Sequence, residues 1–274
     1  ALAEAGFALS EPAWIDAAID AFDYIQRRHG RRDGQGLARL AHTSRGGAAY
    51  GAALIDDYAQ LTLAALALFA VTGQPRYRAA ATAWVETALS RYWDAGGSGF
   101  FQNADDSPGL IIRVKADFDG ELPAGNGAMA EALARLYFFS GDATLARRAE
   151  AALESQGGAV GQDYFSLGSL LIAADTLFRA VQVVVIGDRG QADTAELLNV
   201  VARLSLPGRV LQVISPAATL PDGHPAQYKT QVDGKATVYV CVGQVCSLPA
   251  TTAAELRETV KLMRRVAAAP KTTP

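Results

Sequence analysis

Leu9-Ser-Glu-Pro-Ala-Trp14, Thr72-Gly-Gln-Pro-Arg-Tyr77 and Ser140-Gly-Asp-Ala-Thr-Leu145 are three versions of one joint. Each closes a stretch of helical periodicity with a small or turn-forming residue and opens another within two positions. Pro12 and Pro75 fall where a helix begins, and there the missing N–H of proline is harmless. Ser10 is a natural cap, and Gly73 and Gly141 stop the preceding helix. The joints recur at intervals of roughly 60–70 residues, which predicts repeated αα-hairpins.

Working outward, helices are expected at 1–9 and 13–29, 54–72 and 75–93, 127–140 and 143–155, with a seventh at 163–180. Residues 30–53 are rich in Gly and Arg and read as a long loop. The turn-rich stretch 94–120 holds Gly96-Gly-Ser-Gly-Phe-Phe101 and reads as a short hairpin. After Ala180 the character changes. Val181–Ile186 is a β-branched run, followed by a helix near 192–204, strands at 210–214 and 237–242, and a last helix at 252–267. That order predicts a small α/β layer on a parallel sheet. The chain therefore divides into a helical region, 1–180, and an α/β region, 181–274.

The chain has 274 residues, half of them hydrophobic, and a formal net charge of −3. No basic stripe with interleaved aromatics is present, so nucleic acid is not an expected partner. The basic cluster at Arg27, Arg28, Arg31 and Arg32 reads as a solvated helix end. The longest apolar run, Leu63–Val71, falls short of the ~20 residues of a membrane span, and no membrane contact is expected. No leader is visible, and the first residue, Ala1, already lies in a helical pattern, so the chain reads as cut from something longer. With two cysteines, a cytoplasmic location is expected.

Arg113-Val-Lys-Ala-Asp-Phe-Asp-Gly-Glu-Leu-Pro-Ala-Gly-Asn126 carries more ionisable groups than a turn needs, which marks it as a candidate site. Pro123 biases Leu122 toward extended backbone, Gly125 permits a turn, and Asn126 is placed to cap a helix starting at Gly127. Asp56-Asp57-Tyr58 opens the most apolar helix. One carboxylate would cap it, leaving the other to point into a cavity. Paired carboxylates are what acid/base work on a sugar requires, so Asp57 and Asp119 are the candidate catalytic residues. Tyr58, Phe100, Arg113, Lys115 and Asn126 are the candidate substrate-binding set. The competing account assigns the same charges to capping and to salt bridges that hold the loop.

No metal ligand set and no cofactor motif is expected. Val183-Val-Val-Ile-Gly-Asp188 has neither glycine fingerprint of a nucleotide loop. Cys241-x4-Cys246 lacks the spacing of a redox helix or a metal pair, and two reduced thiols are expected.

Leu54-Ile-Asp-Asp-Tyr-Ala59, Gly97-Ser-Gly-Phe-Phe101, Arg113-Val-Lys115, Asp119–Asn126 and Tyr239-Val-Cys241 through Cys246-Ser-Leu-Pro249 together resemble the thioredoxin-domain-containing, spermatogenesis-associated family. The resemblance implies a mainly α architecture, a partial (α/α)6 toroid similar to six-hairpin glycosidases and N-acylglucosamine 2-epimerases, followed by the α/β layer. It also implies a thioredoxin-like domain of the same full-length chain, absent here, as a partner. Two functions follow as expectations: a carbohydrate-active or carbohydrate-binding half-barrel with a sugar ligand, or a non-catalytic scaffold that positions the thioredoxin-like domain. His29, His42 and His224 lie outside the matching segments and read as surface residues, which argues against the paired-histidine chemistry of the epimerases.

Overall fold

The computed structural model describes residues 1–160, 164–243 and 245–268. Three helical hairpins stand where the joints place them: α1 (Leu2–Leu9) with α2 (Pro12–His29), α3 (Ile55–Thr72) with α4 (Pro75–Arg91), and α5 (Gly125–Ser140) with α6 (Ala143–Glu154). The joints share a backbone device. Ser10, Gly73 and Gly141 take left-handed φ values of 59°, 72° and 77°, so the chain reverses within two residues. Asp142 then caps α6 by accepting from the Thr144 N–H at 2.8 Å.

A one-turn α7 (Gly157–Val160) and a 3-10 turn at Phe165–Leu167 precede α8 (Gly168–Arg179). The helix start expected at 163 lies outside the described residues. α3, α5 and α8 lie side by side, and their apolar faces form the main core with Tyr58, Tyr77, Leu133 and Leu136 deep inside. α3 is long and apolar enough to cross a membrane by length and composition alone. Here Ile55, Tyr58, Ala59, Thr62, Ala65, Leu66 and Leu68 are buried in the protein, as in a core helix.

Residues 30–53 are not a loop. They form an antiparallel three-stranded sheet of β1 (Gly30–Arg32), β2 (Ala38–Arg45) and β3 (Ala48–Ala52). Gly46 and Gly47, with φ of 56° and 89°, make the two-residue turn that pairs Arg45 with Ala48. A Gly-Gly turn between short strands is a hairpin signal in its own right. The exposed arginines Arg31, Arg32 and Arg45 mask the alternation. The hairpin expected within 94–120 reduces to one antiparallel bridge, Trp93 to Phe100, in a stretch of turns.

The second sheet runs β5-β4-β6-β7, from β4 (Val181–Ile186), β5 (Arg209–Ile214), β6 (Thr237–Val242) and β7 (Val245–Cys246). β4 is buried along its whole length and pairs parallel with β5 but antiparallel with β6, so the expected parallel sheet is mixed. α9 (Ala192–Arg203) and α10 (Ala253–Ala268) pack on it around a second core. Arg189 ties the two regions together. Its guanidinium donates to the Ala70 and Val71 carbonyls at 2.6 and 2.7 Å, satisfying the C-terminal end of α3.

Cys241 and Cys246 are joined in a disulfide, against the expectation of free thiols. The spacing suits neither a redox helix nor a metal pair. In a hairpin turning at Gly243 (φ 58°) the same spacing sets the two residues directly opposite each other.

Candidate functional site

α3, α5 and α8 present their N-terminal ends together. A Cβ placed on Gly125 would overlap the Asp56 carboxylate and Ile55, so α3 and α5 touch at their first turns. A Cβ on Gly127 would strike Ser169, which brings in α8. Asp56 and Asp119 both lie against this junction. Asp57, one residue on from Asp56, shares its end of the array, as the parallel run of first helices requires.

Asp57 has two partners. One oxygen accepts from the Leu54 N–H at 2.8 Å, which closes the start of α3, and from His42 Nδ1 at 2.7 Å. His42 stands on β2, in the sheet that replaces the expected loop. It is therefore not an isolated surface histidine: it contacts the Asp57 carboxylate and keeps half of its side chain exposed. A carboxylate on one ring nitrogen fixes tautomer and orientation, leaving Nε2 for a ligand or a proton. His29 instead contacts the Ala41 carbonyl through Nδ1 at 2.9 Å. His224 is buried, and burial pushes its pKa down.

The carboxyls divide by environment. Burial pushes Asp56 above the ordinary carboxylate range, and the neighbouring Asp57 charge adds to this. Its Oδ1 is buried without a hydrogen-bond partner among the described residues. Asp117 is also raised by burial, although Lys115 opposes it; its Oδ1 accepts from Asn126 Nδ2 at 3.1 Å and Gln156 Nε2 at 2.9 Å. Asp119 goes the other way. Burial alone would raise it, but donation from the Ala124 N–H, the Ser169 hydroxyl and N–H, and the Gly168 N–H outweighs burial and holds it low. Those donors also tie the loop to the start of α8. Environments that push neighbouring carboxyls apart separate proton donors from fixed anions.

Three residues of the expected ligand-binding set, Tyr58, Phe100 and Asn126, are fully buried and bonded within the protein. The Tyr58 hydroxyl accepts from the Leu40 N–H at 3.1 Å. Asn126 does not cap its helix, which begins at Gly125 with Ala124 as the cap. Its side chain pairs with both backbone groups of Phe100, accepting from the N–H at 2.6 Å and donating to the carbonyl at 2.8 Å.

Arg113 and Lys115 hold the loop. Arg113 donates to the Asn103 and Arg91 carbonyls and lies 4.2 Å over the Phe101 ring. Lys115 pairs with Asp94 at 2.7 Å and donates to the Ser98 carbonyl at 2.6 Å. A cavity of about 520 Å³ lies at the opposite end of α3 and α5, walled by Phe69, Gly73, Phe139, Arg189 and His224 among others.

No protein-family model matches the chain. Curated relatives do. Spermatogenesis-associated protein 20 of Homo sapiens is 26% identical over 277 residues, covering 92% of this chain and 34% of that protein. The proteins of the same name from Mus musculus and Rattus norvegicus are each 27% identical, covering 74% of this chain and 26% of their own length. These matches support the family resemblance. The chain spans about a third of the human relative's length and about a quarter of the rodent ones.

Proposed function

We propose that the shared N-terminal end of α3, α5 and α8 binds a polyhydroxyl, carbohydrate-type ligand and performs acid/base chemistry on it. In this reading the helix array is part of an (α/α)6-type toroid. The observation that carries the proposal is the His42–Asp57 contact at 2.7 Å, its imidazole half exposed, beside the Asp56 carboxyl, which burial pushes above the ordinary carboxylate range. Asp57 orients the imidazole, His42 Nε2 takes a proton, and Asp56 or Asp117 supplies one. The N–H groups at the three helix starts favour oxygen-rich ligands there. Asp119, already engaged by backbone donors, positions the loop.

A second reading, a non-catalytic scaffold for a thioredoxin-like domain of the full-length protein, is favoured by one observation: Arg113, Lys115, Asp119 and Asn126 all hold the loop itself. Thermal shift of the full-length protein against a panel of mono- and disaccharides separates the two. A ligand at a hundred times its Kd adds ~2.7 kcal/mol to the native state. Stabilisation by a sugar that is lost in His42→Ala supports the first reading. A panel without any stabilising sugar favours the scaffold.

A further inference from the structure

The Cys241–Cys246 pair stands apart from the helix-end site and has features that a purely structural crosslink does not need. β6 is held without it. The strand pairs with β4 from Val181–Val242 through Ile186–Thr237, and the Val238–Ala250 bridge and the bond from the Ser247 N–H to the Val240 carbonyl secure its other side. The bond closes a loop between residues only five positions apart, where a crosslink removes less freedom from the unfolded chain than a longer loop would. β7, the strand it ties down, has two residues, both exposed.

Exposure of the two residues is unequal. Cys241 is 2% exposed, whereas Cys246 is on the exposed sheet edge. Beside the bond opens a recess of about 360 Å³, lined by both cysteines and walled by Tyr137, Phe138, Leu177, Pro225 and Gly243, with no acidic residue among the described residues that line it. An incoming thiolate meets no carboxylate from those residues, and apolar groups flanking it have a surface to lie on.

We propose that this disulfide is a thiol–disulfide exchange site for a dithiol partner, with Cys246 the sulfur attacked. The partner's thiolate bonds to Cys246 Sγ, the Cys241–Cys246 bond breaks, and Cys241 leaves with the electron pair and takes a proton from water. The partner's second thiol, as thiolate, then attacks its own sulfur in the mixed disulfide and releases the Cys246 thiolate. Two electrons pass to the cysteine pair, and the partner leaves as a disulfide.

The full-length protein, treated with dithiothreitol under native conditions, alkylated and mapped by mass spectrometry, tests this. The pair should be reduced with an unchanged circular dichroism spectrum and should re-form with oxidised glutathione. Cys246 in a Cys241→Ser variant should capture an aryl disulfide reagent at least about tenfold faster than Cys241 in a Cys246→Ser variant. A pair that reduces only on unfolding, fails to re-form, or reacts equally fast at both sulfurs overturns the proposal.

Discussion

Asn126→Ala probes the bond that locks the charged loop to the helix array. The side chain is fully buried and satisfies both backbone groups of Phe100, at 2.6 and 2.8 Å. Its Nδ2 also donates to Asp117 at 3.1 Å. Truncation leaves a buried N–H and a buried carbonyl unpaired, and each such group costs about 1–3 kcal/mol. The expected loss is therefore about 2–6 kcal/mol, large for one substitution. Asn126→Asp should be no better, since it keeps the acceptor but turns the donor facing Asp117 into a second carboxylate. Urea unfolding of the full-length protein measures the loss. Limited proteolysis should show the 94–124 segment cut sooner in the variant. A loss below about 0.5 kcal/mol, with unchanged proteolysis, would refute the reasoning.

Gly125→Ala should destabilise by about 1–3 kcal/mol in the same urea assay, because its methyl group would overlap the Asp56 carboxylate and Ile55. Asp117→Asn should raise stability at pH 7, since an asparagine oxygen can still accept from Asn126 and Gln156. A carboxyl whose pKa is raised on folding favours the fold at low pH and loses that contribution as pH rises through its folded value, so the gain from Asp117→Asn should vanish below about pH 4. Asp119 has the opposite sign: its contribution is present above the unfolded value and lost as pH falls through the depressed folded one. Asp119→Asn, which sets an amide N–H among backbone donors, should cost about 1–3 kcal/mol at pH 7 and converge with the parent in acid, as pH-dependent urea titrations would show.

The helical hairpins were legible because their joints carry the chemistry of chain reversal: Pro12 and Pro75 at helix starts, and Ser10, Gly73 and Gly141 in the left-handed region. β4 was equally plain, since a β-branched run buried on both faces has few other uses. The antiparallel direction of β6 was not legible, because strand pairing depends on where the long 215–236 connection returns the chain. The site was half readable. Asp57 does cap α3, as one branch of the sequence argument held, and the charged loop does reach the helix starts. Asn126 was misread because an asparagine after a turn glycine caps helices in most settings; a buried partner such as Phe100 leaves no local trace. His42 was missed because its partner lies fifteen residues on, across a hairpin disguised by Gly and Arg.

The most direct test of the proposed acid/base site is calorimetric titration of the full-length protein with the sugar that stabilises it best, comparing wild type, His42→Ala, Asp57→Asn and Arg78→Ala. Asp57→Asn keeps an oxygen for the Leu54 N–H, and Arg78 sits at the far end of the array by the Phe69–His224 cavity. The account predicts that His42→Ala and Asp57→Asn each weaken binding at least about tenfold, or ~1.4 kcal/mol, while Arg78→Ala binds as wild type. Equal affinity in all four proteins, or loss only in Arg78→Ala, would contradict it.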